Sequence, residues 1–457
     1  MVPVSSPSMS RRITGLETEY GCLIESQVPM PEVLPRIRDW LFENHRYGLI
    51  DQHDRDWDEP AGNGGFLFNG GRVYMDMGHL EYCTPECAST LDVVRYDRAG
   101  DLLLQEAVTA LGLRGRVHFI RNNIDHYTGA TFGCHENYSL DRKAPLHERN
   151  VMSLLTFLTL RVLLTGAGRV GMGRPGRLRG EALLAEEVPA FQISQRADYI
   201  QNDFFEWVQH NRAIINTRDE PLADPRQYRR LHLIHGDTSV LPATLFLKVG
   251  STRLVLDLLD ADELPPLVLA DAVAALRGLS RRLEAPWPVV LADGRSADAL
   301  ELLDLYRRAA RAAFGGRDAE TDAVLGLWER VLHGLESDRG SLVGLVDWVS
   351  KEHLLRAFRD SEGLEWGHPW LEAQDLEFHQ VDPERALGLA LANLDGYWNP
   401  PRVDQACSDP PQDSRARARS RLMQELRGKD TSYFLDWEAV EVPNQSRNRL
   451  LDPFQAT

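Results

Sequence analysis

The sequence predicts an α+β fold in which an antiparallel or mixed sheet carries the functional site and helices pack behind it. Within the first ~260 residues, short β-like runs alternate with turn residues. Residues 262–400 are instead dominated by Ala, Leu, Arg and Glu at helical spacing. Runs of strands followed by runs of helices are typical of this fold class.

Composition excludes several classes of protein. The 457 residues carry a net charge of −17 and are 43% hydrophobic, which indicates a globular chain and disfavours a binder of nucleic acids or anionic membranes. Five cysteines are too few for a disulfide framework and fit a reducing cytoplasm. The longest apolar run, 151–164, contains Arg161 and predicts a buried helix rather than a membrane span. We therefore expect a cytoplasmic protein with no nucleic-acid or membrane partner.

Short runs rich in β-branched, aromatic and apolar residues, bounded by turn residues, predict the strands. These runs are 12–24, 66–75, 116–120, 131–140, 213–216, 231–235 and 244–249. Longer runs with apolar residues at helical spacing predict the helices. These are 31–44, 91–111, 150–164, 253–260, 299–314, 319–335, 343–358 and 383–394.

Three stretches separate these elements. Residues 45–65, rich in Asp, Gly and aromatic residues, and the glycine-rich residues 166–189 are predicted to be loops on the sheet. The consecutive prolines Pro400 and Pro401 interrupt the helical pattern. We therefore predict a large catalytic domain over residues 1–400 and a small C-terminal domain over 401–457.

Two glutamates on the first predicted strand are candidate metal ligands. Glu17 and Glu19 are two residues apart, so their side chains project from the same face of a strand. Neighbouring carboxylates repel unless a cation binds between them, and oxygen-only ligands suit Mg²⁺. The alternative is an ordinary solvated strand face.

A second group lies on the predicted strand 66–75 and directly after it. Alternation places Arg72, Tyr74 and Asp76 on one face, which puts a cation for phosphate, a phenol and a carboxylate in one row. Glu81 and Glu86 follow in a predicted loop. An exposed polar strand edge is the alternative interpretation.

Polar stretches farther along the chain extend the candidate site. Residues 121–125 and 132–138 are predicted to be two polar strands that pair across a glycine-containing turn. Arg196, Arg218, Arg229 and Arg230 lie between apolar runs and are candidates to clamp a triphosphate or a substrate carboxylate. Salt bridges to nearby acids are the alternative.

Two other motifs resemble known binding sites but lack the neighbouring residues or elements that such sites require. Cys83 and Cys87, with His79, have no second Cys/His pair at the spacing of a zinc site and are interpreted as structural. The glycines at 166, 168, 171 and 173 follow a predicted helix rather than a strand, which excludes a Rossmann dinucleotide loop.

Taken together, the motifs resemble the family of Pup ligases and Pup deamidases (PafA and Dop), which are carboxylate-amine ligases related to glutamine synthetase. The matching segments are GLETEYG at 15–21, NGGRVYMD at 69–76, LEYCTPEC at 80–87, GCHENY at 133–138, SQRADYI at 194–200 and IINTRDEP at 214–221. The resemblance implies a glutamine-synthetase-like curved antiparallel sheet that cradles ATP and Mg²⁺, is backed by helices, and is followed by a small C-terminal domain.

The resemblance also assigns roles to individual residues. It implies that Asp76 is the catalytic base, that Arg72, Thr84 and Trp437 contact the nucleotide, and that Glu17, Tyr74 and Glu81 bind metal. From the strand and arginine patterns, Glu19 joins the metal ligands and Arg218 the nucleotide-binding residues.

The implied function is the ATP-dependent joining of Pup, or a Pup-like modifier, to lysines of target proteins in a bacterial proteasome pathway. Ligase-like features include GLETEYG and the Thr84 that follows Glu81-Tyr82, whereas TGAGRVGMG at 165–173 and LADGR at 291–295 are deamidase-like. We predict a ligase. The alternatives are a deamidase or depupylase that uses the same ATP site and, less favoured, a ligase joining glutamate to a small amine.

Overall fold

A computed structural model describes residues 11–25, 30–125, 129–170, 191–206, 211–443 and 447–457. The first ten residues, and the part of the predicted 166–189 loop that follows Val170, lie outside the described residues.

One large sheet dominates the fold. In chain order the strands are β1 (Thr14–Ile24), β2 (Gly48–Ile50), β3 (Gly64–Leu67), β4 (Arg72–Asp76), β5 (His79–Cys83), β6 (Val117–Ile120), β7 (Cys134–Asp141), β8 (Arg169–Val170), β9 (Phe191–Gln192), β10 (Ile200–Phe205), β11 (Arg212–Asn216), β12 (Tyr228–Leu233), β13 (Pro288–Val290), β14 (Ser296–Asp298), β15 (Phe434–Asp436), β16 (Ala439–Glu441) and β17 (Asn448–Arg449). The large sheet has the order β10-β11-β12-β7-β1-β5-β4-β3-β2, and β6 also pairs with β1. Its neighbours are antiparallel except for the parallel pair β10–β11, so the sheet is mixed.

Helices pack against this sheet. In chain order they are α1 (Met30–Phe42), α2 (Thr90–Ala110), α3 (Glu148–Leu160), α4 (Val162–Thr165), α5 (Pro242–Asp260), α6 (Ala272–Ser280), α7 (Ala299–Phe314), α8 (Ala319–Ser337), α9 (Asp347–Glu362), α10 (Pro369–Phe378), α11 (Leu387–Leu391) and α12 (Arg415–Leu426). Apolar side chains of α2, α3 and α5 form one continuous core with inward-facing residues of β1 such as Leu16 and Tyr20. Among the described residues, no helix combines the length and the apolar character needed to cross a membrane.

The C-terminal residues build a second, smaller core. Helix α12 and the sheet β15-β16-β17 pack against β2 and β3 through Phe66, Phe68, Met423, Leu435 and Val440. This core attaches the end of the chain to the edge of the large sheet. The division into 1–400 and 401–457 stays a prediction.

The predicted strand 244–249 is wrong, because these residues lie inside α5. Its continuous apolar run buries every side of the helix, and a segment buried all round has no polar face to reveal helical spacing. The Asp347 carboxylate accepts hydrogen bonds from the amides of Val240 (2.6 Å) and Leu241 (2.8 Å) just before the helix begins.

Several other boundaries also differ from the prediction. The predicted strand 66–75 is a hairpin of β3 and β4, turned at Gly70, whose φ of 89° suits glycine. Of the predicted pair 121–125 and 132–138, only the second contributes to a strand, β7. The Phe132 amide donates to the carbonyl of Asn123, next to an isolated bridge between Ile124 and Thr131. The predicted helix 383–394 is confined to α11, and the predicted loop 45–65 contains β2 and the start of β3.

Candidate active site

The register of the large sheet arranges the candidate residues in rows. Arg72 pairs with Cys83, which is opposite Glu17. Tyr74 pairs with Glu81, which is opposite Glu19. Directly opposed residues project from the same face, so the predicted row on β4 extends across β5 and β1.

Glu81 therefore lies in strand β5, which corrects the predicted loop. The prediction that Arg72, Tyr74 and Asp76 share a face is confirmed by the strand register, and the Arg72 guanidinium lies 4.2 Å from the centroid of the Tyr74 ring. Asp76, at the end of β4, belongs to a carboxylate cluster with Glu19 and Glu81, whose ligand oxygens lie within 4.8 Å of one another.

Burial shapes the charge of this carboxylate cluster. It raises the pKa of Asp76 to about 6, and the charge of Glu19 adds to the increase. Burial, together with the charges of Glu17 and Glu19, also holds the pKa of Glu81 well above its usual range. Three crowded carboxylates form an oxygen-only donor set, and a hard divalent cation bound there would relieve their mutual repulsion.

A second set of donors surrounds Glu17. The ligand atoms of Glu17, His135 and His232 lie within 4.8 Å of one another, and the Glu17 carboxylate lies 3.0 Å from Nδ1 of His135. Asn137 Nδ2 donates to the other Glu17 oxygen at 2.9 Å. Burial alone would raise the pKa of Glu17, but the His135 hydrogen bond and neighbouring cations hold it well below its usual range.

His232 supports the interpretation of this second set as a cation site. Burial lowers its pKa to about 3, so the imidazole is neutral. Both ring nitrogens are buried without a hydrogen-bond partner among the residues that the structure describes. A neutral, buried imidazole with free nitrogens next to a carboxylate is a suitable ligand for a divalent metal.

A cleft opens beside these two sets and contains three of the predicted nucleotide-binding residues. Arg72, Thr84 and Trp437 line it, together with Glu17 and Tyr74. Contacts within the protein fix the position of each of these three side chains.

Arg72 donates to Asp51 at 3.0 Å and to Glu59 at 2.7 Å, although neither acid belongs to the cleft wall. The Thr84 hydroxyl accepts the amide of Leu16 at 3.0 Å. The indole of Trp437 packs edge-on against Phe66, with ring centroids 5.0 Å apart. The walls of the cleft are therefore fixed by contacts that do not involve a ligand.

Arg218 is not brought to the cleft wall. Its side chain is 55% exposed and forms a salt bridge with Glu220 at 2.7 Å. A salt bridge to a nearby acid is the alternative that the sequence left open for these arginines. Its role in nucleotide binding stays a prediction. Arg230, by contrast, does line the cleft.

Sequence reasoning placed Asn137 in the polar stretch 132–138 and His232 in a predicted strand, but it gave neither residue a role as a donor of the site. His232 lies on β12 and Asn137 on β7. Alternation with buried neighbours could have predicted that they belong to the site only if the pairing of these two strands had been known.

Arg196, predicted to be a clamp, donates to the neutral acceptors Phe132 O, Thr131 Oγ1 and Ile234 O. Burial and nearby Arg212 lower the pKa of Arg196 to about 10, and Glu19 is among the charges that act on it.

With this geometry in hand, comparison with known proteins defines the class. The family model described as Pup-ligase protein matches residues 12–441. The chain belongs to the Pup ligase family, which confirms the resemblance drawn from the motifs.

Individual relatives agree over nearly the whole chain. A Pup–protein ligase of Kocuria rhizophila is 36% identical over 98% of this chain and 97% of its own length. One from Acidimicrobium ferrooxidans is 33% identical over the same shares. Among solved structures, the ligase PafA in its complex with the prokaryotic ubiquitin-like protein Pup matches with a TM-score of 0.81 and 31% identity, covering 98% of this chain and 90% of that one. PafA in complex with ADP matches with a TM-score of 0.75 and 31% identity, covering 99% and 96%.

Proposed function

We propose that this chain is an ATP-dependent Pup–protein ligase. It joins the side-chain carboxylate of the C-terminal Glu of Pup, or of a Pup-like modifier, to a lysine of a target protein. The single observation that carries the proposal is the adjacency, on one sheet face, of the Arg72–Thr84–Trp437 cleft and the Glu19–Asp76–Glu81 cluster. Full-length relatives that are Pup–protein ligases, and PafA structures with Pup and with ADP, support it. Cytoplasmic action in a bacterial proteasome pathway belongs to the same proposal.

Magnesium is part of this proposal. Glu17, Tyr74, Glu81 and Glu19 would hold it, because the strand register brings their carboxylate and phenol oxygens together on one face. When bound, the ion would offset the charge of the phosphates during phosphoryl transfer.

The first step is transfer of the γ-phosphoryl group. A carboxylate oxygen of the terminal Glu of Pup attacks the γ-phosphorus, the bond to the bridging oxygen of ADP breaks, and an acyl phosphate forms. Arg72 is suited to hold the phosphates, since Asp51 and Glu59 fix its guanidinium in the cleft wall. Thr84 and Trp437 would position the rest of the nucleotide.

The second step requires a base. Asp76 accepts a proton from the attacking lysine amine, whose nitrogen forms the isopeptide bond to the acyl carbon while phosphate leaves with the electrons of the C–O bond. Asp76 ends β4 beside the exposed turn Met77–Gly78, so a lysine can reach it from solvent. Its raised pKa, about 6, makes it a stronger base than an ordinary aspartate, while it is still ionised at pH 7 and above.

A groove beside Asp76 favours a macromolecular substrate over a small amine. Its largely apolar wall includes Ile24, Leu34, Met75 and Phe132, and it begins next to His79, which pairs with Asp76. A groove of this kind suits an extended or helical peptide that delivers its last residue to the cluster. This feature favours Pup over a free amino acid.

The test is the intact mass of Pup after incubation with the protein and Mg-ATP. Pup ending in Glu is expected to become attached to lysines of an added protein, while Pup ending in Gln keeps its mass. Conversion of the Gln form to the Glu form would identify a deamidase instead. Turnover that depends on free glutamate and a small amine, but not on Pup, would identify a metabolic ligase.

A further inference from the structure

Glu86 is a buried carboxylate that the two chemical steps do not use. It follows β5, two residues after Thr84, and is 7% exposed. Both of its oxygens accept hydrogen bonds from arginines of α12, a helix that begins more than three hundred residues later in the chain. Arg415 and Arg419 are themselves buried, and we call these three residues the Glu86 cluster.

Arg419 connects the Glu86 cluster to Trp437. It donates to Glu86 Oε1 at 2.9 Å and to Oε2 at 2.6 Å. The same guanidinium donates to the carbonyls of Trp437 at 2.8 Å and of Gly70 at 2.6 Å. It also lies 5.0 Å from the centroid of the Trp437 ring, at cation–π distance.

Arg415 connects the Glu86 cluster to a different wall of the cleft. Its Nε donates to Glu86 Oε1 at 2.6 Å, and its Nη1 donates to the carbonyls of Leu222 at 2.6 Å and Leu450 at 3.0 Å. Leu222 lines the cleft with a positive φ of 46°, a strained conformation for this residue. The Arg415 amide also donates to the carbonyl of Pro453, which lines the cleft as well.

We infer that Glu86, through Arg415 and Arg419, is a positioning residue that assembles the nucleotide cleft from segments distant in the sequence. One carboxylate fixes two guanidiniums, and these hold the Trp437 turn, the Leu222 turn and the end of the chain against the sheet. This inference rests on the proposed nucleotide role of the cleft. Neither chemical step passes through Glu86, so the Glu86 cluster acts on nucleotide affinity rather than on bond making.

The test variant is Glu86→Gln, measured by calorimetric ADP binding and by steady-state kinetics. Replacing one carboxylate oxygen by an NH₂ group sets donors against the arginine donors, which releases the walls. We expect the Kd for ADP and the KM for ATP to rise about tenfold or more. The KM for Pup, and kcat at saturating ATP, should stay within about threefold of wild type, because Asp76 and the apolar groove do not touch the Glu86 cluster.

Asp97→Asn is the matched control. Asp97 lies on α2 and is also buried, and it accepts two hydrogen bonds from Arg121, at 2.7 and 2.8 Å. The Asp97→Asn variant should have a lower melting temperature than wild type and the same affinity for ADP. Equal ADP affinity in Glu86→Gln and wild type would show that Glu86 is merely structural and would overturn the inference.

Hydrogen exchange of the unmutated protein keeps the inference testable if Glu86→Gln does not fold. Adding ADP should slow amide exchange in α12 and in the 434–441 hairpin as well as in β1 and β5. Slowing confined to β1 and β5 would overturn the inference and leave the proposed function standing. Failure of wild type to bind ADP at all would overturn both.

Discussion

Replacing Asp76 by Asn should separate catalysis from stability, because the carboxylate that we propose as the base is, when charged, costly to the folded state. The amide keeps the shape of the side chain but cannot accept the lysine proton. General-base catalysis contributes about 10²–10⁴-fold, so isopeptide formation should fall by that factor, or about 3–5 kcal/mol of barrier. The KM for ATP should stay within about twofold, since Asp76 is not among the residues that line the cleft.

The effect on stability has the opposite sign. The folded protein raises the pKa of Asp76 from 3.8 to about 6. The charged form is thus disfavoured by about 3 kcal/mol on folding at pH 8, and below pH 3.8 this penalty vanishes. Asp76 is only half-buried, so solvent screens its charge and a discounted value of about 1–2 kcal/mol is the better expectation. In the absence of magnesium and nucleotide, Asp76→Asn should therefore unfold at a higher urea concentration than wild type.

Two assays measure these effects. Urea unfolding at pH 8 gives the stability, and quenched reactions resolve ADP release from isopeptide formation. Hydroxylamine, a strong nucleophile that needs no base, should still trap the acyl phosphate made by Asp76→Asn. Asp203→Asn is the matched control, because burial also raises the pKa of Asp203, on β10 of the same sheet. It should gain stability with no loss of ligation, whereas normal ligation by Asp76→Asn would refute the assignment of the base.

Three further predictions concern other parts of the molecule. Trp437→Ala should raise the KM for ATP about tenfold with a smaller change in kcat, because the nucleotide base would lose an aromatic ring to stack on. An unchanged KM would exclude Trp437 from the nucleotide site. Leu34→Asp should raise the KM for Pup at least about tenfold while the KM for ATP stays constant, because the substitution puts a charge into the apolar groove. Equal changes in both constants would argue against this groove as the binding site of Pup. Burial alone would raise the pKa of Glu86, but Arg419 and Arg415 lower it from 4.5 to about 2. The contribution of Glu86 to stability is therefore present above pH 4.5 and is lost as the pH falls toward 2. In urea unfolding measured against pH, Glu86→Gln should lose less stability in acid than wild type does, and identical slopes would contradict this prediction.

Local alternation was sufficient to predict that three of the candidate site residues share one strand face. Arg72, Tyr74 and Asp76 share a face because side chains on a strand alternate, and no long-range information is needed for that statement. The strand β5 was missed because it is only five residues long and follows the tight turn at Met77 and Gly78 directly. A polar residue such as Glu81 in so short a run looks like part of a loop.

Contacts between distant segments could not be read from the sequence. His232 meets Glu17 only because β12 pairs with β7 and β7 pairs with β1. Glu86 and Arg419 are 333 residues apart, and nothing near either residue indicates the other. The failure at 244–249 has a different cause: a segment buried all round shows no periodicity, so a helix and a strand have the same apolar pattern.

A structure of the protein with ADP, Mg²⁺ and Pup ending in Glu would test the central claim most directly. We predict the nucleotide between Arg72 and Trp437, with the side-chain carboxylate of the C-terminal Glu of Pup between the β-phosphate and Asp76. Placement of ADP outside that cleft, or of this side-chain carboxylate away from Asp76, would contradict the account.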